Sequence, residues 1–566
     1  MTNQKEVINL NPNIKLIIWL IFLSLVYLLF KTPIDFHNLC LKNIETYYLS
    51  DGFLLQDGYS LYKDIFCNKG PLQIFFYAFC LFTGETNEFA ILRVRLLQSL
   101  LYLITLFSLT YSAKLIFKKN LITYLTPLVY ILLPILFKGS WGAFDLQGAF
   151  LAEGEVLMSP FISLSLYFTS KYVFEKKSGT YIFISGLFSA LAILTKLSGA
   201  SFCLAVLFSG FLLLLVLRDK SFVFSIKNMI YFCTGALVPF LLFYLFLFYQ
   251  HSINDFHKWY IWANFHRTGL PLLVVLKNTL PKIIFNNFII FILILFFVIY
   301  TIKKIIDQKH NINHSTQFQI LFLIWTIIAL YAVLAPTVYA AHYYQGLWIA
   351  VSIPIAVSIS KILCLSSNKI YQMFISLLLL FSSFNYNTFE NYRMNYNPNS
   401  PGIPAVNKIY DETTFKDKTK FNIWARDDKR DAYLKISDIV RWTGKPGDTL
   451  YIWPGKSLVF FYSHTRPGIH LKPEMILNWL VDNNTDKAYC DRFLNDYFEK
   501  SILELIKKEP VYIIDSTPLL KEYSRYSIFK NPDFKNFLTA KYKGLFSLDI
   551  KGNDSTMDTI TIYKRL

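Results

Sequence analysis

Charge is what this sequence has least of. Only 17% of its 566 residues are Asp, Glu, Lys or Arg, against roughly 25% in an ordinary soluble domain. Hydrophobic residues make up 54% of the chain and aromatics 18%, with 53 Phe and 37 Tyr. Such a composition excludes an ordinary soluble enzyme and a disordered chain. Cysteine is also sparse. The seven residues are scattered, with no C-x-x-C pair and no metal-type spacing, which removes zinc ribbons and thioredoxin-like redox motifs. There is no internal repeat of the kind that builds many transporters. The C-terminal part holds neither a Gly-rich phosphate loop nor a nucleophile elbow.

The few charges are unevenly placed. Residues 1–384 hold 43 of the 94 charged side chains, and residues 385–566 hold the other 51. This division gives a membrane body over 1–384 and a water-soluble domain over 385–566, a normal size for one domain. The formal net charge is +18. A nucleic-acid binder would concentrate that surplus on its soluble part. Here the membrane part carries 28 Lys/Arg against 15 Asp/Glu, and the tail 28 against 23. Most of the surplus lies in short loops between apolar runs, the positive-inside pattern, so no nucleic-acid partner is expected.

A membrane-spanning helix needs roughly 20 apolar residues. Eleven such runs occur, at about 14–30, 91–117, 121–137, 156–174, 181–197, 199–217, 224–249, 283–302, 318–336, 343–363 and 369–384. The run Leu72–Thr83 is too short and reads as an interfacial or re-entrant helix. With the N-terminus inside and this run not crossing, the basic clusters Lys118–Lys119, Lys171 with Lys176–Lys177, Arg218 with Lys220 and Lys227, Lys303–Lys304 with Lys309, and Lys361 with Lys369 all fall on one side. The first span lacks a small-residue cleavage site and is not a signal peptide. The long first loop, 31–90, then lies outside. So do about 138–155, about 250–282, Tyr339–Tyr344 and the whole tail. Cys40 and Cys67 share the first loop, where they could form a disulfide or remain two thiols.

In the tail, Asp431–Thr443 has helical spacing. A Lys445-Pro446-Gly447-Asp448 turn leads into strand-like TLYIWP. Leu458–Tyr462 is a second apolar run, and 490–508 is helical. VYIID after Pro510 reads as a buried strand and TITIY, near 559–563, as the last one. Alternation of this kind indicates a small α/β domain.

The first loop carries seven of the 15 acidic residues that precede the tail. Asp51 and Asp57, beside Gly52 and Gly58, read as solvated loop charges. Asp35 and Glu45 lie beside aromatics near the end of the first span, where a carboxylate could serve as a general base on a hydroxyl. In the second loop, Asp145, Glu153 and Glu155 precede a span. Glu155 could act chemically or simply favour a helix N-terminus. Lys196 sits between two apolar runs with almost no loop; such a cation either snorkels to water or meets an anionic lipid group as a point charge. His342, Tyr343 and Tyr344 open a later span, and His257, His266 and Arg267 form part of an aromatic, interfacial-looking loop.

The order of an acidic residue near the first span, an aromatic-rich helix, DGYSLYKD, Lys69-Gly70-Pro71 and then Arg93 resembles the first loop of the GT-C glycosyltransferases. This polyprenyl-phosphate-dependent group includes the protein O-mannosyltransferases and the lipid A aminoarabinose transferases. HYY at 342–344, WTGKPGDTLYIWPG and EPVYIIDS are similar to bacterial members as well. The resemblance implies a polytopic α-helical GT-C fold with an extracytoplasmic C-terminal α/β domain, in the plasma (inner) membrane. It implies transfer of a sugar from a polyprenyl-phosphate donor to a hydroxyl of a glycan, lipid or protein acceptor, with inversion. Glu45 or Asp35 would be the base and Glu155 a second acid. Lys69, Lys196, Arg267, His342 and Tyr343 would bind substrate. No organic cofactor is implied, and some members of the group use a divalent metal. A lipid-linked-sugar flippase or another transporter is the alternative, but charges at mid-depth, which such a path needs, are few. A purely structural membrane protein is the third possibility, and it would lack a pocket joining these residues.

Overall fold

The computed structural model describes residues 11–36, 43–65, 67, 69–81, 88–136, 154–175, 178–215, 226–262, 277, 280–308, 312–334, 344–364, 420–423, 429–453, 459–460, 463–468, 499–517, 528–551 and 557–566. They group into two compact units. One comprises Met1–Asn38, Arg95–Phe243 and Gly269–Ser400; the other comprises Leu39–Val94, Tyr244–Thr268 and Pro401–Leu566.

Ten of the eleven expected spans fall on helices; the last, 369–384, lies outside the described residues. The long helices are α1 (Pro12–Phe36), α4 (Glu88–Phe117), α5 (Asn120–Leu136), α6 (Gly154–Glu175), α7 (Thr180–Thr195), α8 (Ala200–Leu215), α9 (Ile226–Tyr249), α10 (Phe288–Gln308), α11 (His314–Leu334) and α12 (Gln345–Cys364). Among the described residues, six stretches are long and apolar enough to cross a membrane, within α1, α4, α9, α10, α11 and α12. The chain is a multi-pass membrane protein. Two shorter helices, α2 (Asn43–Gln56) and α3 (Pro71–Cys80), flank the remainder of the first loop. With ten residues, α3 cannot span, as its short apolar run implied.

Burial sorts the helices of the first unit. In α12 every residue from Gln345 to Ser358 is buried, so this helix is enclosed by protein on all sides. By contrast α9 exposes Ile230, Leu237, Leu241, Leu242 and Leu245, the surface expected toward lipid. Helices α6 and α7 form an antiparallel hairpin stitched by hydroxyls. Ser165 Oγ lies 2.8 Å from both Ser185 Oγ and Ser189 Oγ, and Thr169 Oγ1 lies 2.7 Å from Ser185 Oγ. Small hydroxyl residues let the two backbones approach closely while satisfying each other's polar atoms. Because the hairpin is antiparallel, the start of α6 and the end of α7 come to the same level.

In the second unit, α2 packs on α3 at Gly52, where a Cβ would sit 2.7 Å from the Ala78 amide nitrogen. The C-terminal part forms a six-stranded sheet among the described residues, in the order β1-β5-β6-β4-β2-β3. Its strands are β1 (Lys420–Ile423), β2 (Thr449–Trp453), β3 (Arg466–Pro467), β4 (Tyr512–Asp515), β5 (Tyr542–Lys551) and β6 (Met557–Arg565). β2 pairs in parallel with β3 and β4, and β6 pairs antiparallel with β4 and β5. Helix α13 (Lys429–Thr443) lays Ala432, Tyr433, Ile436, Ile439 and Val440 on Leu450, Ile452, Tyr512, Ile514, Ile560 and Ile562. Those helical spacings make one stripe, and the strand residues that meet it alternate along each strand; β2 and β4 are buried on their other face as well, at Tyr451, Trp453 and Ile513. Helix α14 (Pro532–Lys541) begins at an Asn531 cap whose side chain accepts from the Phe534 amide, and its N1 proline suits a helix start. Residues 499–508 are helical, as expected for the end of the 490–508 stretch. The domain is α/β, as the alternation indicated.

Candidate active site

In the first unit the sharpest polar feature is the ion pair between Lys196 Nζ and Glu155 Oε1. Glu155 is in the first turn of α6, where the helix dipole favours an anion. Its side chain is almost wholly buried and that of Lys196 is 22% exposed. Lys196 is the residue at which α7 ends. Its backbone is extended (φ −158°, ψ 140°) before a single 3-10 turn, Leu197–Gly199, leads into α8. The break depends on Gly199, where a Cβ would lie 2.5 Å from the carbonyl of Ala192. The chain thus folds back on the last turn of α7 and presents the lysine at a helix junction. Ser159 Oγ donates to the Glu155 carbonyl at 2.7 Å, and Ser198 Oγ lies 3.6 Å from Met158 Sδ. Gly346, at the head of α12, faces the same methionine, 3.4 Å from Met158 Cε for a Cβ built there. The head of α12, which continues the HYY segment, therefore packs beside the first turns of α6. Glu155 is the buried member of the pair, and the lysine offsets the desolvation of its carboxylate.

The second unit holds the first loop from Leu39 onward. Asp51 is fully buried on α2, contrary to its reading as a solvated charge. Periodicity around Asp51 alone does not show that this face of α2 is covered. Asp57 is not simply solvated either, since its Oδ2 lies 3.1 Å from Arg466 Nε at β3. Between Asp57 and α3 the chain makes a tight excursion. The Ser60 amide donates to Asp64 Oδ2 at 2.8 Å, and the Leu61 amide donates to Gln250 Oε1 at 3.1 Å. Tyr62, fully buried, packs against Phe256 and Tyr260 with ring centroids at 5.1 and 6.2 Å. Its hydroxyl donates to the Lys69 carbonyl at 2.8 Å. Burial holds that hydroxyl well above its ordinary titration range, and Cys67, Tyr260 and Asp51 push it the same way. Tyr260 is raised first by burial and then by Cys67. Both phenols therefore remain neutral O–H groups. Asp255 is raised by burial, with Lys258 and Lys63 opposing.

Lys69 is half-buried at the entry to α3, with its amide donating to Cys67 Sγ at 3.4 Å. Glu45 falls on α2 and Asp35 at the end of α1, but their side chains lie outside the described residues. Asp145, Glu153, His266, Arg267, His342, Tyr343 and Cys40 lie wholly outside them, and with Cys40 the possible disulfide to Cys67. Tyr344 is buried at the head of α12. His257 is exposed, its Nε2 3.2 Å from the Tyr244 hydroxyl. Among the described residues no group of three or more His, Cys, Asp or Glu side chains is arranged to hold a metal. Sequence reading missed the burial of Asp51, Arg95 and Gln98 and the part played by Tyr62. For Arg95 a signal existed, a charge within a long apolar run.

No protein-family model and no curated protein matches the chain. Solved structures do. ArnT from Cupriavidus metallidurans bound to undecaprenyl phosphate matches over 96% of this chain and 97% of its own, at 13% identity and a TM-score of 0.54. The same protein in the apo state matches over 98% and 99%, at 12% identity and 0.53. At such identities the likeness is one of fold, and this chain has the GT-C fold, an α-helical membrane body with a C-terminal α/β domain.

Proposed function

We propose that this chain is an integral membrane glycosyltransferase. It would move a sugar from a polyprenyl-phosphate donor to an acceptor hydroxyl on the extracytoplasmic side of the plasma (inner) membrane. The observation that carries this reading is the Lys196–Glu155 pair, a lysine at a helix junction held by a buried acid, in a chain with the fold of a protein crystallised with undecaprenyl phosphate. Transfer needs little covalent help from the protein. A carboxylate, Glu45 or Asp35, takes the acceptor proton; the acceptor oxygen attacks the anomeric carbon with inversion. The bond from that carbon to the phosphate oxygen breaks, and polyprenyl phosphate leaves with the electron pair. Charge develops on the departing phosphate, and cations placed for it lower the barrier. Lys196 is given that role, with Lys69, Arg267, His342 and Tyr343 as further contacts. Glu155 holds the Lys196 ammonium in place until the phosphate arrives. The proposal uses no metal. The C-terminal domain, 385–566, would guide or cover the acceptor, which is a glycan, a lipid or a protein.

Transfer from a radiolabelled polyprenyl-phosphate sugar tests the reading, using wild type, Glu45→Gln and Asp35→Asn. Removing a general base costs roughly 10²–10⁴ in rate, so one of the two variants is expected to lose at least a hundredfold in turnover. Both variants remaining within tenfold of wild type would sink the base assignment, and absence of transfer by wild type from any donor would sink the activity.

A further inference from the structure

Tyr62 stands out within the first loop. Its backbone is left-handed, with φ +70°, a conformation that a bulky L-residue adopts only at a cost. Its surroundings nevertheless fix it there. Its amide donates to the Ile65 carbonyl at 3.1 Å, and the preceding amide, that of Leu61, is taken by Gln250. Its ring is buried between Phe256 and Tyr260. Glycine would occupy this backbone without strain. What glycine lacks is the hydroxyl, and that hydroxyl reaches seven residues along the chain to the Lys69 carbonyl. Lys69 is followed by Gly70 and by Pro71, the first residue of α3. The lysine backbone is thus held on one side by Tyr62 and continued on the other by a helix. Strained residues held so firmly tend to mark positions where geometry matters for function.

We propose that Tyr62 is a positioning residue, which fixes the Lys69 backbone and so aims the lysine ammonium at the phosphate of a polyprenyl-phosphate ligand. The inference rests on the glycosyl-transfer reading and adds to it a residue that touches no substrate.

Tyr62→Phe removes the hydroxyl and keeps the ring. The probe is undecaprenyl phosphate titrated into the full-length protein in detergent, alongside transfer kinetics. The dissociation constant and the donor KM are expected to rise about three- to tenfold, as loss of one buried hydrogen bond does, with kcat within twofold. Gln250→Ala, which releases the neighbouring amide, is expected to move both in the same direction. This variant decides the matter if Tyr62→Phe melts well below wild type. In a Lys69→Ala background Tyr62→Phe should cost nothing more, since residues that act through one another are not additive. Unchanged binding in Tyr62→Phe and Gln250→Ala, or additive losses with Lys69→Ala, would overturn the proposal while leaving glycosyl transfer standing. Failure of the wild-type protein to bind undecaprenyl phosphate would overturn both.

Discussion

A buried acid and a partly buried lysine that meet can serve stability, function or both, and Glu155 and Lys196 allow the two to be separated. Truncating one partner leaves the other charge without compensation, which costs roughly 3–5 kcal/mol in buried pairs. Removing both charges with side chains of similar volume is often nearly neutral. Lys196→Met is therefore expected to lower the melting temperature in detergent markedly, and Glu155→Gln combined with Lys196→Met to recover most of it. If Lys196 serves the donor phosphate, the double variant stays folded but inactive. A double variant that regains transfer along with stability would reduce the pair to a structural role. Lys196 was legible in the sequence because charge is rare between apolar runs with almost no loop, and Glu155 because it is an acid at the start of a span. Asp51 was not. Its neighbours Ser50, Gly52 and Asp57 look like a loop, and only the packing of α3 on Gly52 reveals that this face of α2 is covered.

Helices are where the sequence was most informative, because a membrane demands long uninterrupted apolar runs and every backbone group must be satisfied within them. Ten of the eleven expected runs fall on helices, with ends that agree within a few residues. Strands were harder. β2, β4 and β6 were expected, but β5 was not, since Gly544 interrupts its alternation and the pairing with β6 shifts register between Gly544 and Phe546. β1, four residues long, gives too short a signal. The junction of α7 and α8 makes an element-scale test. Gly199→Ala adds a Cβ that meets the Ala192 backbone, which cannot yield as a flexible side chain would. The two helix ends must separate, so Lys196 moves with them. Overpacking of this kind costs typically 1–3 kcal/mol, and a displacement near 1 Å at a catalytic group can cost about a hundredfold in rate. The expected outcome is a modest fall in melting temperature with a much larger fall in transfer. Equal losses in both would make the junction a packing feature only.

The fold of the whole chain could be inferred from sequence because its two solvents impose two patterns, apolar runs in one part and helix–strand alternation in the other. What could not be inferred is which distant segments meet. The surface pair Asp57–Arg466 joins residues far apart in sequence, and as a partly exposed pair it contributes little energy by itself. Stability of the C-terminal sheet offers a global measurement with a clear sign. On α13, burial pushes the Asp438 carboxyl up to about 6, with Arg441 opposing. Its unfolded value is near 3.9. Below about pH 4 the group is protonated in both states and costs nothing. Between about 4 and 6 the unfolded chain ionises while the folded one does not, so stability falls as pH rises. Above about 6 the full cost remains, roughly 1–3 kcal/mol. His464 works in the opposite sense, since burial and Arg441 lower its titration and its protonation at acid pH opposes folding. The wild-type profile therefore mixes two trends, and the difference between wild type and Asp438→Asn isolates one. Thermal melting of the full-length protein in detergent, followed by hydrogen exchange in β2 and β4, is expected to show Asp438→Asn more stable at pH 7.5 and equal to wild type near pH 3, well below the unfolded value. A gain of equal size at both pH values would mean that the substitution acts through packing, with ionisation of the carboxyl playing no part.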